Sequence, residues 1–333
     1  MKHCTYLLPI RRAAFDANET REFAEYFQQL RSCVSEILVI DGSSPKIFEQ
    51  QRAIWSDLCR HEHVDPGFDY LNDKVNGIHT GVQLATTDKI ILGDDDVRYD
   101  ADKIDIIFAL LEKFEVVRPQ NYLAPQPWWA RMEAARMLIN RATLRAADYP
   151  GTCAFRRETF LRAGHYDGDV LFDNEEIIRH FAREGASICY ANDLFVRKKP
   201  PRFPKWLEQR PRQAYEDFGL RFKTALFFSL PLLAIFFSLL SAKQLSLFVM
   251  SILGMSILLA FAGRRRGRAR EVIPIGVCFF APLWIIERSL STYWALYWFF
   301  ARGGYPFGER LLTKGIGRDW IAGGKIASEI ANK

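Results

Sequence analysis

Two apolar runs stand almost back to back late in this chain, Ala225 to Ala242 and Leu245 to Gly263, with only Lys243-Gln244 as a polar link between them. The first is interrupted by nothing but serines and Pro231. A helix needs about 20 apolar residues to cross a bilayer, and each run is about that long. A chain with such a pair is not one continuous globule, so its 25% of charged residues is an average over unlike parts. The 333 residues divide into a soluble domain over 1–222, a membrane module over 223–301 with helices at about 225–242 and 245–263, and a tail over 302–333.

Positive charge sets the expected orientation. Between Arg197 and Lys223 there are nine Lys/Arg against three acids, and the loop Arg264-Arg265-Arg266-Gly267-Arg268-Ala269-Arg270 is equally basic, whereas the turn between the runs carries only Lys243. Basic flanks stay in the cytoplasm, so the N-terminal domain is expected there, on an integral membrane protein for which the cell inner membrane fits best. Anionic membrane lipid would attract the same residues. No nucleic-acid partner is expected: the arginine run lies between hydrophobic segments, and a net charge of +6 needs no polyanion to explain it. No signal peptide is expected either, because Met1-Lys2-His3-Cys4 leads into a strand.

Val272 to Ala301 is apolar and aromatic, with Trp284, Trp294 and Trp298, yet it holds Pro274, Pro282 and the pair Glu287-Arg288. One long tilted span, two short ones and a re-entrant interfacial hairpin all fit. The Glu-Arg pair is costly in lipid, so it is expected to be paired or at an interface. The basic tail after it, with Arg302, Arg310, Lys314 and Arg318, favours a cytoplasmic C-terminus and no net crossing by this third segment.

Within the soluble domain the apolar run Lys89-Ile90-Ile91-Leu92 ends in Gly93 and three consecutive carboxylates, Asp94-Asp95-Asp96. Three adjacent aspartates repel one another and resist desolvation, so the cluster is stable only if solvated or neutralised by a cation. Oxygen-only ligands suit Mg²⁺ or Mn²⁺. An acidic turn capping the next helix fits the same three residues. Upstream, Tyr6-Leu7-Leu8-Pro9 and Glu36 to Ser44 read as strands flanking a helix over Ala17 to Arg31, a βαβ unit whose second strand stops at Asp41. Ligands of open α/β sheets sit beyond the carboxyl ends of strands, where Asp41 can accept hydrogen bonds from a base or ribose.

In order and spacing these features resemble the family 2 glycosyltransferases: an early strand-end Asp (Asp41), a Lys-containing segment (Lys74, Asn76, Gly81, Ala85, Thr87-Asp88) and an apolar strand ending in D-x-D (Asp94 and Asp96). The resemblance covers roughly the first hundred residues most closely. It implies an α/β, Rossmann-like GT-A fold binding a nucleotide-sugar, followed here by C-terminal membrane helices. Asp41 and Lys74 would contact the nucleotide base or ribose. Asp94, Asp95 and Asp96 would face the diphosphate, with Asp94 and Asp96 holding Mg²⁺ or Mn²⁺.

Weaker motifs continue the pattern. Gly151 to Phe160 resembles the strand and helix start on the acceptor side of the family's pocket. Phe172-Asp173-Asn174-Glu175-Glu176, with Arg179 after it, resembles the segment in which an Asp at a helix start is the general base. Asp173 aligns with that base and Glu175 keeps the second carboxylate. Phe172 stands where the family has Glu, which leaves the choice between Asp173, Glu175 and Glu176 open. The same acids also read as an ordinary helix N-terminus. Gln209 and Arg212 fit half of a Q/R-x-x-R-W motif used near acceptor and diphosphate, with Gln213 in place of Trp; a basic juxtamembrane linker reads the same way.

Six scattered cysteines without a C-x-x-C pair read as small core residues of a reducing compartment. His61 and His63 read as a solvated polar loop, and Trp128-Trp129 either close a core or stack on a sugar. The resulting expectation is a metal-dependent, inverting hexosyltransferase-type enzyme of polysaccharide biosynthesis, with a nucleotide-sugar donor and a lipid-linked or glycan acceptor. Three rivals share the residues: a processive polysaccharide synthase, a nucleotidyltransferase, and a catalytically inactive membrane-anchored sugar-nucleotide-binding protein.

Overall fold

A computed structural model describes residues 2–144, 152–216, 221–307 and 310–312. The chain forms two compact units. The first holds an eight-stranded mixed sheet. Its elements are β1 (Lys2–Ile10), α1 (Ala17–Leu30), β2 (Val34–Asp41), α2 (Pro45–Trp55), β3 (Arg60–His63), α3 (Asp73–Leu84), β4 (Lys89–Leu92), β5 (Val97–Arg98), α4 (Ala101–Leu110) and most of β6 (Val116–Leu123), then β7 (Cys153–Arg156), α6 (Arg157–Ala163), α7 (Asp173–Arg183) and β8 (Ile188–Lys198). The strand order is β3-β2-β1-β4-β7-β6-β8-β5. The expected βαβ unit is present, with β1 parallel to β2 and to β4 and β2 parallel to β3. The later strands pair antiparallel, β4 with β7, β7 with β6 and β5 with β8. This is the expected α/β, Rossmann-like architecture.

Sequence chemistry accounts for this order. From Cys4 to Ile10 every residue of β1 is buried, as a central strand covered on both faces requires. Helix α1 covers one face with Phe23, Tyr26, Phe27 and Leu30 and starts at Asp16, whose carboxylate accepts from the backbone N–H of Asn18 and Glu19. Helix α3 lies on the other face, and glycine lets it come close: a Cβ on Gly81 would sit 2.1 Å from Leu7 Cδ1. Asn72 caps its start by accepting from Lys74 N–H, so the helix opens at the carboxyl edge of the parallel strands. The segment His61-x-His63 corrects the loop expectation. It forms β3, with His61 buried and both rings stacked on Phe48, because strand pairing to β2 hides polar side chains that look solvated in sequence.

The second unit gathers α5 (Trp128–Thr143), α8 (Phe203–Glu216) and the long apolar helices α9 (Arg221–Leu240) and α10 (Ala242–Arg265), followed by α11 (Ala269–Val272), a 3₁₀ turn (Ile275–Phe280) and α12 (Ala281–Arg302). Two short strands, β9 (Tyr305–Phe307) and β10 (Arg310–Leu312), pair antiparallel. The expected Lys243-Gln244 link is instead the first turn of α10, because Ser241 Oγ accepts from Gln244 N–H and caps the helix one residue earlier. Pro274 and Pro282, which look like interruptions in the third apolar segment, stand at the starts of the 3₁₀ turn and of α12, where a missing N–H costs nothing. Lys314 and Arg318 of the expected tail lie outside the described residues.

Among the described residues, three segments are long and apolar enough to cross a membrane: Phe222–Leu240, Ala242–Arg265 and Ile275–Arg302. Only 6% and 11% of the first two is buried, against 44% of the third. The difference has a polar cause. Glu287 accepts from Ser291 Oγ and lies 3.9 Å from Arg210 of α8, whose guanidinium also pairs with Glu133 of α5. Arg288 is buried and donates to Gln213 Oε1 at 3.2 Å. Both residues thus meet protein partners, while Glu287 Oε2 and Arg288 Nε are buried without a hydrogen bond. Trp128 and Trp129 pack on Phe203, and Trp128 also meets Trp206 of α8.

Helix α10 approaches α5 closely at Gly263, where a Cβ would lie 1.8 Å from the Leu138 carbonyl oxygen. Gly263→Ala is therefore expected to lower stability by about 1–3 kcal/mol through overpacking. Gly254→Ala, in the same helix with nothing within 4 Å of its added carbon, should not lower it. Thermal midpoints of both variants in detergent check this; equal midpoints would mean that the two helices do not meet at Gly263.

Candidate active site

The turn Gly93–Asp96 leaves β4 at the carboxyl edge of the parallel strands and enters β5, with Gly93 N–H held by the Leu7 carbonyl and Val97 N–H by that of Asp94. Three cations from three places in the fold meet its three carboxylates. Lys74 Nζ lies 3.0 Å from Asp94 Oδ2, Arg12 Nη1 lies 2.9 Å from Asp95 Oδ2, and Lys198 Nζ lies 3.1 Å from Asp96 Oδ2. Of the two ways to stabilise three adjacent aspartates, solvation or neutralisation, side chains supply much of the second.

Lys74 does more than pair with Asp94. Its ammonium also lies 3.1 Å from Asp173 Oδ2 and donates to Asn174 Oδ1 at 3.1 Å. One nitrogen therefore joins the D-x-D turn to the first residue of α7. Burial alone would lower the Lys74 pKa, but Asp173 and Asp94 overrule it and hold the ammonium above the ordinary lysine range. Burial likewise opposes ionisation of Asp94, and Lys74 with Lys198 brings it below the usual carboxylate range.

Asp96 behaves differently. Burial pushes its carboxyl up to about 6, Asp94 and Asp95 add to the rise, and Lys198 compensates only in part. Its Oδ1 is buried with no hydrogen-bond partner. One ligand oxygen from each of Asp94, Asp95 and Asp96 lies within 4.8 Å of the others. An oxygen-only donor set with an unused buried carboxylate oxygen and incompletely balanced charge fits a hard divalent cation such as Mg²⁺ or Mn²⁺.

The acids after Asp173 are already committed. Glu175 Oε2 accepts from Arg118 Nη2 at 2.6 Å, and Glu176, fully buried, accepts from Arg183 at 2.8 Å. Asp41, at the end of β2, turns inward: Oδ2 meets His61 Nε2 at 3.1 Å, Oδ1 accepts from Ser43 N–H at 2.8 Å, and the side chain has no exposed surface. Burial opposes its charge, and the His61 and Ser43 hydrogen bonds keep its carboxyl below the usual range. Gln209 and Arg212 lie on α8 in the second unit, where Arg212 donates to the Leu171 carbonyl at 2.6 Å and stacks over Phe172.

The structure thus brings Lys74, Asp94, Asp95, Asp96 and Asp173 together, sets Glu175 in a pair of its own, and buries Asp41. Arg12, Arg118, Asn174 and Lys198 escaped the sequence argument. Lys198 had a usable signal, since it ends an apolar strand, Leu194-Phe195-Val196, much as Asp94 follows Leu92. Charge pattern alone groups it with the basic residues that anionic lipid would attract.

No family model matches this sequence, and no curated protein matches it. Among solved structures, a mannosyltransferase from Pyrobaculum calidifontis in complex with GDP-Man and Mn²⁺ is 16% identical, over 88% of this chain and 87% of that one, with a TM-score of 0.49. Glucosyl-3-phosphoglycerate synthase from Mycobacterium tuberculosis, in complex with Mn²⁺, UDP and glucosyl-3-phosphoglycerate, is 14% identical over 62% of this chain and 74% of that one, with a TM-score of 0.40. Likeness at this level says nothing of which side chains act or on what.

The bridge itself is testable without a substrate. Lys74→Met leaves Asp94 and Asp173 facing each other unpaired. Breaking a buried pair costs up to about 3–5 kcal/mol, and the 19% exposure of Lys74 points to the lower end. In the Asp173→Asn background the same substitution should cost at least about 0.5 kcal/mol less, since contacting residues couple. Stabilities of the four proteins close the cycle; strict additivity would mean that the bridge is not made in solution.

Proposed function

We propose that this chain is a membrane-anchored, inverting glycosyltransferase of GT-A type that moves a hexosyl group from a nucleotide-diphosphate sugar to a lipid-linked or polysaccharide acceptor. The observation that carries this reading is the single ammonium of Lys74 between Asp94 and Asp173, at 3.0 and 3.1 Å. It couples a carboxylate of the donor-side turn to a carboxylate at a helix start, which sets a proton acceptor beside the donor side as a single-displacement transfer requires.

Asp173 is assigned as general base. It takes the proton of an acceptor hydroxyl while that oxygen forms its bond to the anomeric carbon and the bond from that carbon to the diphosphate oxygen breaks. Attack opposite to the leaving group inverts the centre, and a nucleoside diphosphate departs. Glu175 is a weaker candidate, because its carboxylate is turned to Arg118 and does not join the Lys74 cluster at the D-x-D turn. Lys74 holds the base in place and keeps Asp94 ionised. Asp94 and Asp96 are the residues that would hold Mg²⁺ or Mn²⁺, which when bound supplies positive charge for the leaving diphosphate. Asp95 faces the same diphosphate. Asp41 is assigned to base or ribose by the resemblance alone, and to reach either its carboxylate must first be uncovered from His61 and Ser43; Gln209 and Arg212 act near acceptor and diphosphate as the resemblance implies.

The domain over 1–222 is proposed to be cytoplasmic, against the cell inner membrane, with α9 and α10 crossing it and lipid as a partner. The partial burial of the third segment, 44%, and the protein partners of Glu287 and Arg288 support no net crossing by it. Both the N-terminus and Lys333 then face the cytoplasm and Lys243 the far side. A reporter fused at Lys333 should be active only in its cytoplasmic form; activity only outside would make α12 a full third span.

Two nearly isosteric substitutions separate metal binding from proton transfer. Asp96→Asn should weaken divalent cation and nucleoside diphosphate binding together, since one of two anionic ligands is lost. Asp173→Asn should leave donor binding nearly intact and lower turnover by a factor on the order of 10² to 10⁴. Calorimetric titration of nucleoside diphosphate with Mn²⁺, alongside nucleoside-diphosphate release from a panel of sugar donors, reads both. Near-normal turnover of Asp173→Asn would move the base to Glu175 or Glu176, and normal binding by Asp96→Asn would remove the metal.

A further inference from the structure

Lys198 is the last residue of β8, and in the antiparallel β5–β8 pair it stands opposite Val97, the residue after Asp96. That register, and not a flexible reach from solvent, carries its ammonium to 3.1 Å from Asp96 Oδ2. The same carboxylate keeps a second oxygen, Oδ1, buried and unpartnered. Both side chains retain some exposure, 26% for Lys198 and 31% for Asp96, so the pair can open towards solvent. Lys198 Nζ is thus placed beside an oxygen set read above as the cation's.

An ammonium and a divalent ion on one carboxylate repel each other, and partial burial leaves that repulsion poorly screened. A diphosphate in contact with the turn removes the conflict, because it offers the ammonium oxygens of its own. We propose that Lys198 is a built-in competitor for Asp96 that keeps the free protein's affinity for a divalent cation low, and that transfers to the nucleotide's diphosphate when donor binds, so that metal and nucleotide bind cooperatively. The inference rests on the reading of Asp94 and Asp96 as metal ligands. Lys74 repels an ion at Asp94 in the same way, but Asp173 and Asn174 hold it in place, so it lowers metal affinity equally with and without donor and adds nothing to the cooperativity.

Thermodynamic linkage makes the consequence two-sided: whatever factor the diphosphate adds to metal affinity, the metal adds to diphosphate affinity. Removing the ammonium should raise affinity for the metal alone and shrink that factor. The test titrates Mn²⁺ into the detergent-solubilised full chain, following free Mn²⁺ by electron paramagnetic resonance, with and without UDP or GDP. Wild type is compared with Lys198→Gln, Lys198→Arg and Asp96→Asn. Lys198→Gln should bind Mn²⁺ alone roughly tenfold tighter and lose a comparable part of the cooperativity, within the usual span of coupling factors. Lys198→Arg, which keeps the charge, should stay near wild type and shows that the position tolerates substitution. Equal affinity of wild type and Lys198→Gln for Mn²⁺ alone, or unchanged cooperativity, overturns the role of Lys198 while leaving the metal site intact. Mn²⁺ binding by Asp96→Asn equal to wild type overturns the metal reading itself, and the proposal with it.

Discussion

A single buried-edge ammonium, that of Lys74, makes the candidate site a site. Asp94 and Asp173 come from the end of one strand and the start of a helix far along the chain, and each lies about one hydrogen-bond length from the same nitrogen. Without it, two carboxylates would face each other in a partly dry setting, where one takes up a proton or swings out. Much of the first unit can be understood as what puts that nitrogen there. Glycine on the inner face lets α3 lie against β1, Asn72 caps the helix so that it opens beside the strand ends, and Lys74 follows on its first turn.

The same logic extends to the neighbouring acids. Arg12 follows β1, Lys74 opens α3 and Lys198 closes β8, so three separate pieces of chain each deliver one cation to one aspartate of the turn. The set is still net negative, because Arg12 is shared with Glu19 and Lys74 with Asp173. A diphosphate would add further negative charge to ground that is already negative. A divalent cation is what lets the two coexist, which is why a metal belongs to the proposed chemistry even though three basic side chains are already present.

Local pattern and long-range pairing differ in how far they can be read from residues alone. Central strands were legible because Tyr6 to Pro9, Ile37 to Ile40 and Ile90 to Leu92 are apolar on both faces, and the acids at their ends follow from strand geometry. Arg12, Arg118 and Lys198 were not, since each matters through a partner distant in sequence, and no periodicity encodes which carboxylate it meets. His61 misled for a related reason. Its neighbours Arg60, Glu62 and His63 are polar, yet strand pairing with β2 buries its ring against Phe48 and opposite Asp41. Ser241 shows the opposite case, a cap readable in principle but hidden within an apolar run where hydropathy dominates.

The third apolar helix shows why average hydropathy stops short of topology. A mean value counts the residues of one helix and ignores whatever covers them, so a helix facing lipid and one packed on polar helices can share it. In α12 the decisive residues are the two that the average penalises. Glu287 and Arg288 find Arg210, Gln213 and Ser291, and Arg210 in turn is fixed by Glu133 and stacks on Trp206. Such a network is stable only if all its members are present together, because removing one leaves another charge buried without a partner. The helices α5, α8 and α12 are therefore bound into one cluster by charge as well as by packing. In α9 and α10 no described residue between Thr224 and Gly263 other than Lys243 carries a charge, and these two helices remain almost wholly exposed within the protein, as helices apolar enough to cross a membrane can be.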